Sequence, residues 1–152
     1  MGPLIKPDPD TATPLNKLLA KILQFLAPKF ALGKLDEDAI TRDKSVVKRV
    51  KADKLNWHGG YRARHTHVLL QSMDNLQNGI LLRQIRVPIL TFQGGQDRLV
   101  DPNGAKFLHQ SVSSNDKKLV MVEEAFHNLY VEFEAVKVPV IKETVGWILK
   151  HI

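Results

Sequence analysis

Two ionisable side chains stand where an α/β sheet keeps its chemistry. The stretch Val87-Pro-Ile-Leu-Thr-Phe-Gln-Gly-Gly-Gln-Asp97 holds a short apolar run, Ile89 to Phe92, bounded by Pro88 and by Gly94-Gly95. That is how a buried strand reads when it ends in a tight turn, and Asp97 is the first ionisable group past the glycines. A second apolar run, Leu119 to Val122, leads through Glu123-Glu124-Ala125-Phe126 to His127. The residues between, Asn103 to Ser113, read as a helix. Strand, helix and strand of these lengths imply a right-handed parallel unit. Asp97 and His127 then leave neighbouring loops at the carboxyl ends of adjacent strands, where open α/β sheets place their sites. A carboxylate that orients an imidazole makes a general base. On the residues alone the bland alternative stays open, since a histidine after a strand is often structural and Gly-Gly-Asp is often only a turn.

Other chemistries find little support. The chain of 152 residues has no cysteine, so it offers no thiolate nucleophile, disulfide or cysteine metal site. His65 and His67 are two apart, which points them apart on a helix, and His58 sits in a turn. We expect surface histidines, no metal and no cofactor. Asp36-Glu-Asp38 reads as a turn or helix start. The serines are Ser45, Ser72, Ser111, Ser113 and Ser114, and none lies in Gly-x-Ser-x-Gly.

The elements that must position the pair follow from periodicity and breakers. Pro3-Leu-Ile5 reads as the tail of a strand, stopped by Pro7 and Pro9. Thr11 or Thr13 can cap a helix with Pro14 in its first turn, and Leu15, Leu18, Leu19, Ile22, Leu23, Phe25 and Leu26 follow helical spacing. This helix is either an ordinary core helix or one lying on a lipid surface, with Lys17 and Lys21 flanking its apolar face. Asp43 to Asp53 reads as a short amphipathic helix, and Tyr61 to Ile80 as a longer one with Val68, Leu69, Met73, Leu76 and Ile80 on one face. After Asp101-Pro102, the helix positions Ala105, Leu108 and Val112 face the sheet. A last helix spans about Glu132 to Ile152, with Phe133, Val136, Val140, Val145, Ile148 and Leu149 as its apolar positions and a possible kink at Pro139.

The formal charge of +6 is uneven. Residues 1–86 hold 15 Lys and Arg against 8 Asp and Glu, while residues 87–152 hold 7 against 8. A basic face can meet nucleic acid or an anionic membrane, or simply be solvated. No nucleic-acid motif accompanies it, so no nucleic-acid partner is expected. No apolar run approaches the ~20 residues that span a bilayer.

The wording around the pair is more specific. Pro3-Leu-Ile5, Leu32-Gly33, Thr41-Arg-Asp43, Gln93-Gly-Gly-Gln-Asp-Arg-Leu99, Asp116-Lys117 and Ala125-Phe-His-Asn-Leu129 with Glu132 together resemble monoacylglycerol lipases. These are serine hydrolases of the α/β-hydrolase fold, whose triad runs Ser…Asp…His along the chain. The resemblance covers essentially all 152 residues but only the carboxyl-terminal half of the family. It implies an α/β class: a helical cap segment plus the last parallel strands and their flanking helices. Residues 1–86 would be the end of a core strand and the cap, and residues 87–152 the carboxyl-terminal core. Asp97 would be the orienting acid and His127 the base. The nucleophile elbow and oxyanion hole fall in the half not seen here, so the chain alone is expected to be inactive. Two departures stand close to the site: Phe126 where tyrosine is common, and Glu123-Glu124 where Glu-Gly is common.

The resemblance further implies an acyl-lipid substrate and membrane contact through the helix Thr13–Leu26, hence a cytoplasmic, peripheral membrane protein. Self-association, or association with a complementing amino-terminal half, is a further expectation. A different class remains: a stand-alone, non-catalytic lipid- or membrane-binding protein.

Overall fold

A computed structural model describes residues 2–152. Its centre is a pair of parallel strands, β1 (Ile89–Gly94) and β2 (Lys117–Val122), in register from Ile89 opposite Lys117 to Gly94 opposite Val122. Helix α4 (Asn103–Ser111) makes the connection between them. Strand alternation divides the core in two. Ile89 packs with Ile5, Leu82, Leu108 and Val112, on the side of α4. Leu90 and Phe92 pack with Ala125, Leu129 and Val140, on the side of α5 (Glu134–Lys150). Each face of the sheet therefore has one helix seated on it.

The first half is helical. Helix α1 (Pro14–Leu26) starts as its residues demand, with the Thr13 hydroxyl accepting from the Asn16 N–H and Pro14 in the first turn. Helix α2 (Lys44–Ala52) is capped by the Asp43 carboxylate, which accepts from the Ser45 N–H at 2.8 Å. Helix α3 (Ala63–Gln77) packs against α1. Between α1 and α3 the chain crosses itself, with Ala31 bridging Arg62 and the Tyr61 N–H donating to the Gly33 carbonyl at 2.7 Å.

That crossing corrects the expected start of α3. Tyr61 and Arg62 are extended partners of residues 31–33, so the helix begins at Ala63 and ends before Gly79, whose φ is +77°. Its buried face runs through Ala63 and Met73, whereas Val68 and Ile80 are exposed. Pro3-Leu-Ile5 forms a turn closed by the Ile5 N–H on the Pro3 carbonyl, and no strand. Helix α4 stops at Ser111, two residues early, and α5 occupies Glu134–Lys150 with Pro139 inside it.

The apolar positions of α5 are only partly covered. Val140 is buried and Val136 half-buried, but Val145, Ile148 and Leu149 are exposed, as are Val138, Ile141 and, at the cap before the helix, Phe133. A sheet two strands wide covers only part of this helix. Each uncovered side chain forgoes part of the ~1.5–3 kcal/mol that full burial would give.

The end of α5 is tied down by charge. His151 Nε2 lies 2.7 Å from Asp116 Oδ2, and Nδ1 lies 2.6 Å from the Trp147 carbonyl. Two acceptors facing both ring nitrogens suit only the imidazolium. The Trp147 carbonyl and then Asp116 accordingly raise the pKa of His151, while Asp116 is held below the carboxylate range, chiefly by its bond from His151. For a raised histidine the stabilisation is full below its unfolded pKa of about 6.5 and is lost as pH rises through the folded value. Thermal melting should therefore fall between about pH 6 and about pH 8 in the wild type, and fall less in His151→Gln.

Candidate active site

The carboxyl ends of β1 and β2 bring two loops together. The Gly95 N–H donates to the Val122 carbonyl at 2.9 Å, and the Gln96 N–H to the Ala125 carbonyl at 3.0 Å. A Cβ on Gly94 would lie 2.0 Å from the Phe126 carbonyl oxygen, and one on Gly95 would lie 2.6 Å from that of Glu123. Gly94-Gly95 is thus more than a turn. The pair lets the histidine loop rest directly on the strand end.

Asp97 has a fully buried side chain and four hydrogen bonds. Oδ1 accepts from the N–H groups of Leu99 (2.9 Å) and Val100 (3.1 Å). Oδ2 accepts from Gln93 Nε2 at 2.9 Å and from His127 Nδ1 at 2.8 Å. Burial pushes the Asp97 carboxyl up. The bonds from His127, Leu99 and Val100, with the charge of His127, outweigh that and hold it below the usual carboxylate range. An ionised carboxylate only accepts, so Nδ1 carries the proton and the neutral ring keeps its lone pair on Nε2. The two expected residues are in contact, and the contact fixes the tautomer a base needs.

His127 lies on the wall of a cavity of about 710 Å³. Leu19 of α1, Leu69, Leu70 and Met73 of α3, and Leu32 and Leu99 supply much of its apolar wall. Such a volume is within the ~300–1,000 Å³ of small-molecule sites. None of the five serines lines it. Ser45, Ser72 and Ser114 have their hydroxyls engaged with Asp43, the Val68 carbonyl and the Asp116 carbonyl.

The other histidines do not converge. His58 bridges Glu37 and the Asp53 carbonyl, which together raise its pKa, the carbonyl most. His65 stacks near Tyr61. Among the described residues no group of three His, Asp or Glu side chains is arranged to hold a metal ion.

Gln93 is a site residue that the sequence reading assigned no role. It is fully buried in β1, and Nε2 donates to both the Gly94 carbonyl and Asp97 Oδ2. Both neighbours are acceptors, so the amide has one orientation. A glutamine inside an apolar strand was the available signal, because a buried amide must find partners.

Residues 1–134 match the family described as "Serine aminopeptidase, S33". The chain belongs to that family. It is similar along its whole length to the monoglyceride lipase of Rattus norvegicus, with 34% identity over 152 residues that are 50% of that protein. The monoacylglycerol lipase of Mycolicibacterium smegmatis is 31% identical over 146 residues, 94% of this chain and 50% of its own. Among solved structures, the monoacylglycerol lipase of Paleococcus ferrophilus superposes with a TM-score of 0.87 at 22% identity, over 99% of this chain and 57% of that one. A soluble variant of the Saccharomyces cerevisiae monoglyceride lipase, in complex with a substrate analog, gives 0.84 at 24%, over 99% and 54%. The fold is that of an α/β-hydrolase, and the chain spans about half the length of the relatives it matches.

Placing a methyl group at Gly94 should force the two loops apart. Gly94→Ala is expected to destabilise the chain by about 1–3 kcal/mol. Urea denaturation would read that loss, and NMR would read weakening of the downfield Nδ1–H resonance of His127. An unchanged midpoint together with an unchanged resonance would show that the close approach is dispensable.

Proposed function

We propose that this chain carries the acid–base half of a monoacylglycerol lipase-type serine hydrolase, splitting a glycerol–fatty acid ester once a nucleophile is supplied. The Asp97–His127 bond on the wall of an apolar cavity carries this reading. In that reaction His127 Nε2 takes the serine proton and returns it to the departing glycerol oxygen. Asp97 holds the imidazole in the required tautomer and stabilises the cation that forms. The cavity lined by Leu69, Leu70 and Met73 suits an acyl chain, which is apolar and without hydrogen-bonding groups along its length.

The nucleophile would come from a complementing amino-terminal half bearing Gly-x-Ser-x-Gly. Two observations support such a partner. The edge of β1 away from β2 has no strand beside it among the described residues, and α5 leaves apolar side chains uncovered. The decisive assay is monoacylglycerol hydrolysis by the chain alone, by the chain mixed with the complementing half, and by that mixture carrying His127→Ala. The chain alone should not exceed an imidazole background, since loss of one oxyanion donor already costs about a hundred- to a thousand-fold. The mixture should turn over and the variant should not. Strong activity from the chain alone, blocked by a fluorophosphonate, would sink this reading by revealing a serine nucleophile within it.

A second reading, non-catalytic lipid binding at a membrane, is favoured by α1. No helix among the described residues is long and apolar enough to cross a membrane. Yet Leu15, Leu18, Ile22, Phe25 and Leu26 of α1 are exposed, Phe25 and Leu26 by 79% and 78%. With Lys17 and Lys21 beside them, they suit a peripheral seat on an anionic cytoplasmic leaflet. Leu18→Glu with Phe25→Glu should abolish co-sedimentation with phosphatidylserine vesicles at unchanged thermal stability. Binding that survives would move the contact to the 42–64 segment, where Leu55 and Trp57 are also exposed.

A further inference from the structure

His127 is held through its two neighbours. The Phe126 N–H donates to Glu132 Oε1 at 3.1 Å, and the Asn128 N–H donates to the Ile40 carbonyl at 2.8 Å. The same Glu132 carboxylate accepts the Arg42 N–H on Oε1 and Arg42 Nε on Oε2, both at 3.0 Å. The Thr41 hydroxyl closes the junction on the Val131 carbonyl at 3.2 Å. Residues 40–42, the short segment that leads into α2, therefore grip the chain on both sides of His127.

Glu132 has no side-chain exposure, and Arg42 keeps 24% of its own. A buried carboxylate is costly unless paired and hydrogen-bonded, and an apolar side chain would fill the same space with less penalty. What a carboxylate offers here is acceptors on both sides: Oε1 takes the N–H groups of two chain segments, and Oε2 takes the guanidinium that faces it. Arg42 also sits over the Phe133 ring and 3.6 Å from Glu124, so one guanidinium touches the histidine loop at three places. None of these contacts reaches the cavity.

We infer that Glu132 and Arg42 are positioning residues for His127, fixing its main chain so that Nδ1 meets Asp97, and that they couple the helical first half to the base. The inference rests on the reading of His127 as the base. Its test reads geometry and involves no ester turnover, so the two can fail separately.

The readout is the downfield Nδ1–H resonance of His127 in the 152-residue chain, together with its ring 15N shifts. Glu132→Gln keeps the shape but sets an N–H₂ against either the two main-chain N–H groups or the Arg42 guanidinium, donor facing donor. It should lose the resonance and shift the ring to mixed tautomers while the other amides keep their native dispersion. Leu108→Ala, in the opposite core cluster, should lower stability and keep the resonance. A wild-type resonance in Glu132→Gln overturns the proposal, and so does its loss in Leu108→Ala. If Glu132→Gln does not fold, Arg42→Met decides, since it removes the guanidinium that anchors Oε2 and so frees the carboxylate to leave its two main-chain donors; a full-strength resonance there overturns the proposal. In the wild type itself, the amides of Phe126 and Asn128 should exchange about a hundredfold more slowly than a solvated loop amide. Exchange at the open-loop rate would overturn it without any variant.

Discussion

The site depends on a close approach of two backbones. β1 and β2 end side by side, and the chain beyond β2 passes so near Gly94 that no side chain fits between. Everything polar at the site follows from that approach. It puts the Asp97 loop and the His127 loop within one hydrogen bond, and it buries the carboxylate deeply enough that its four donors matter. Desolvation alone would drive Asp97 toward the neutral acid, which could not orient an imidazole. The backbone N–H groups of Leu99 and Val100 therefore matter to the Asp97–His127 pair as much as the histidine does.

The sequence made the short, bounded elements plain. β1, β2, α1 and α2 were visible because prolines, glycines and caps fence periodic runs, and Asp97 and His127 were visible because strand ends place them. The long helices were overextended. Tyr61 and Arg62 carry no breaker, and their pairing with residues 31–33 is a tertiary contact that periodicity does not register. In α5 the pattern gave many apolar positions but not which of them meet a sheet, since that depends on sheet width. The grips on the site were the least legible part. Glu132 and Arg42 are 90 residues apart in sequence, and only the fold shows that Arg42 donates twice to the Glu132 carboxylate.

The charge asymmetry takes on structural meaning once the cations are placed. Lys44 and Lys51 both contact Asp38, which drops to a pKa of about 2, the Lys51 bond contributing most. Arg98 touches Asp36 and sits over Phe126, and Arg42 serves Glu132. Several basic residues thus staple the helical half to itself and to the histidine loop. Others, such as Lys29 and Lys54, are exposed beside the apolar residues Phe30 and Leu55. A basic composition here is two populations, one structural and one facing solvent, and only the second is free to meet an anionic surface.

Three features fit the complementing half proposed above. Among the described residues, β1 has a side without a strand, α5 has exposed apolar residues on several faces, and Gln93 Oε1 is buried without a hydrogen-bond partner. A helix that is apolar on several faces belongs inside a larger body. An orphaned buried acceptor calls for a donor. Gln93 cannot turn its oxygen inward, because both of its Nε2 hydrogens already point at acceptors, one of them Asp97. The space beside that oxygen is narrow: a Cβ on Gly2 would lie 3.0 Å from it and 2.8 Å from Asp97 Oδ2. Gln93 therefore ties β1 to the Asp97 carboxylate through one amide, whose oxygen abuts the first residues of the chain.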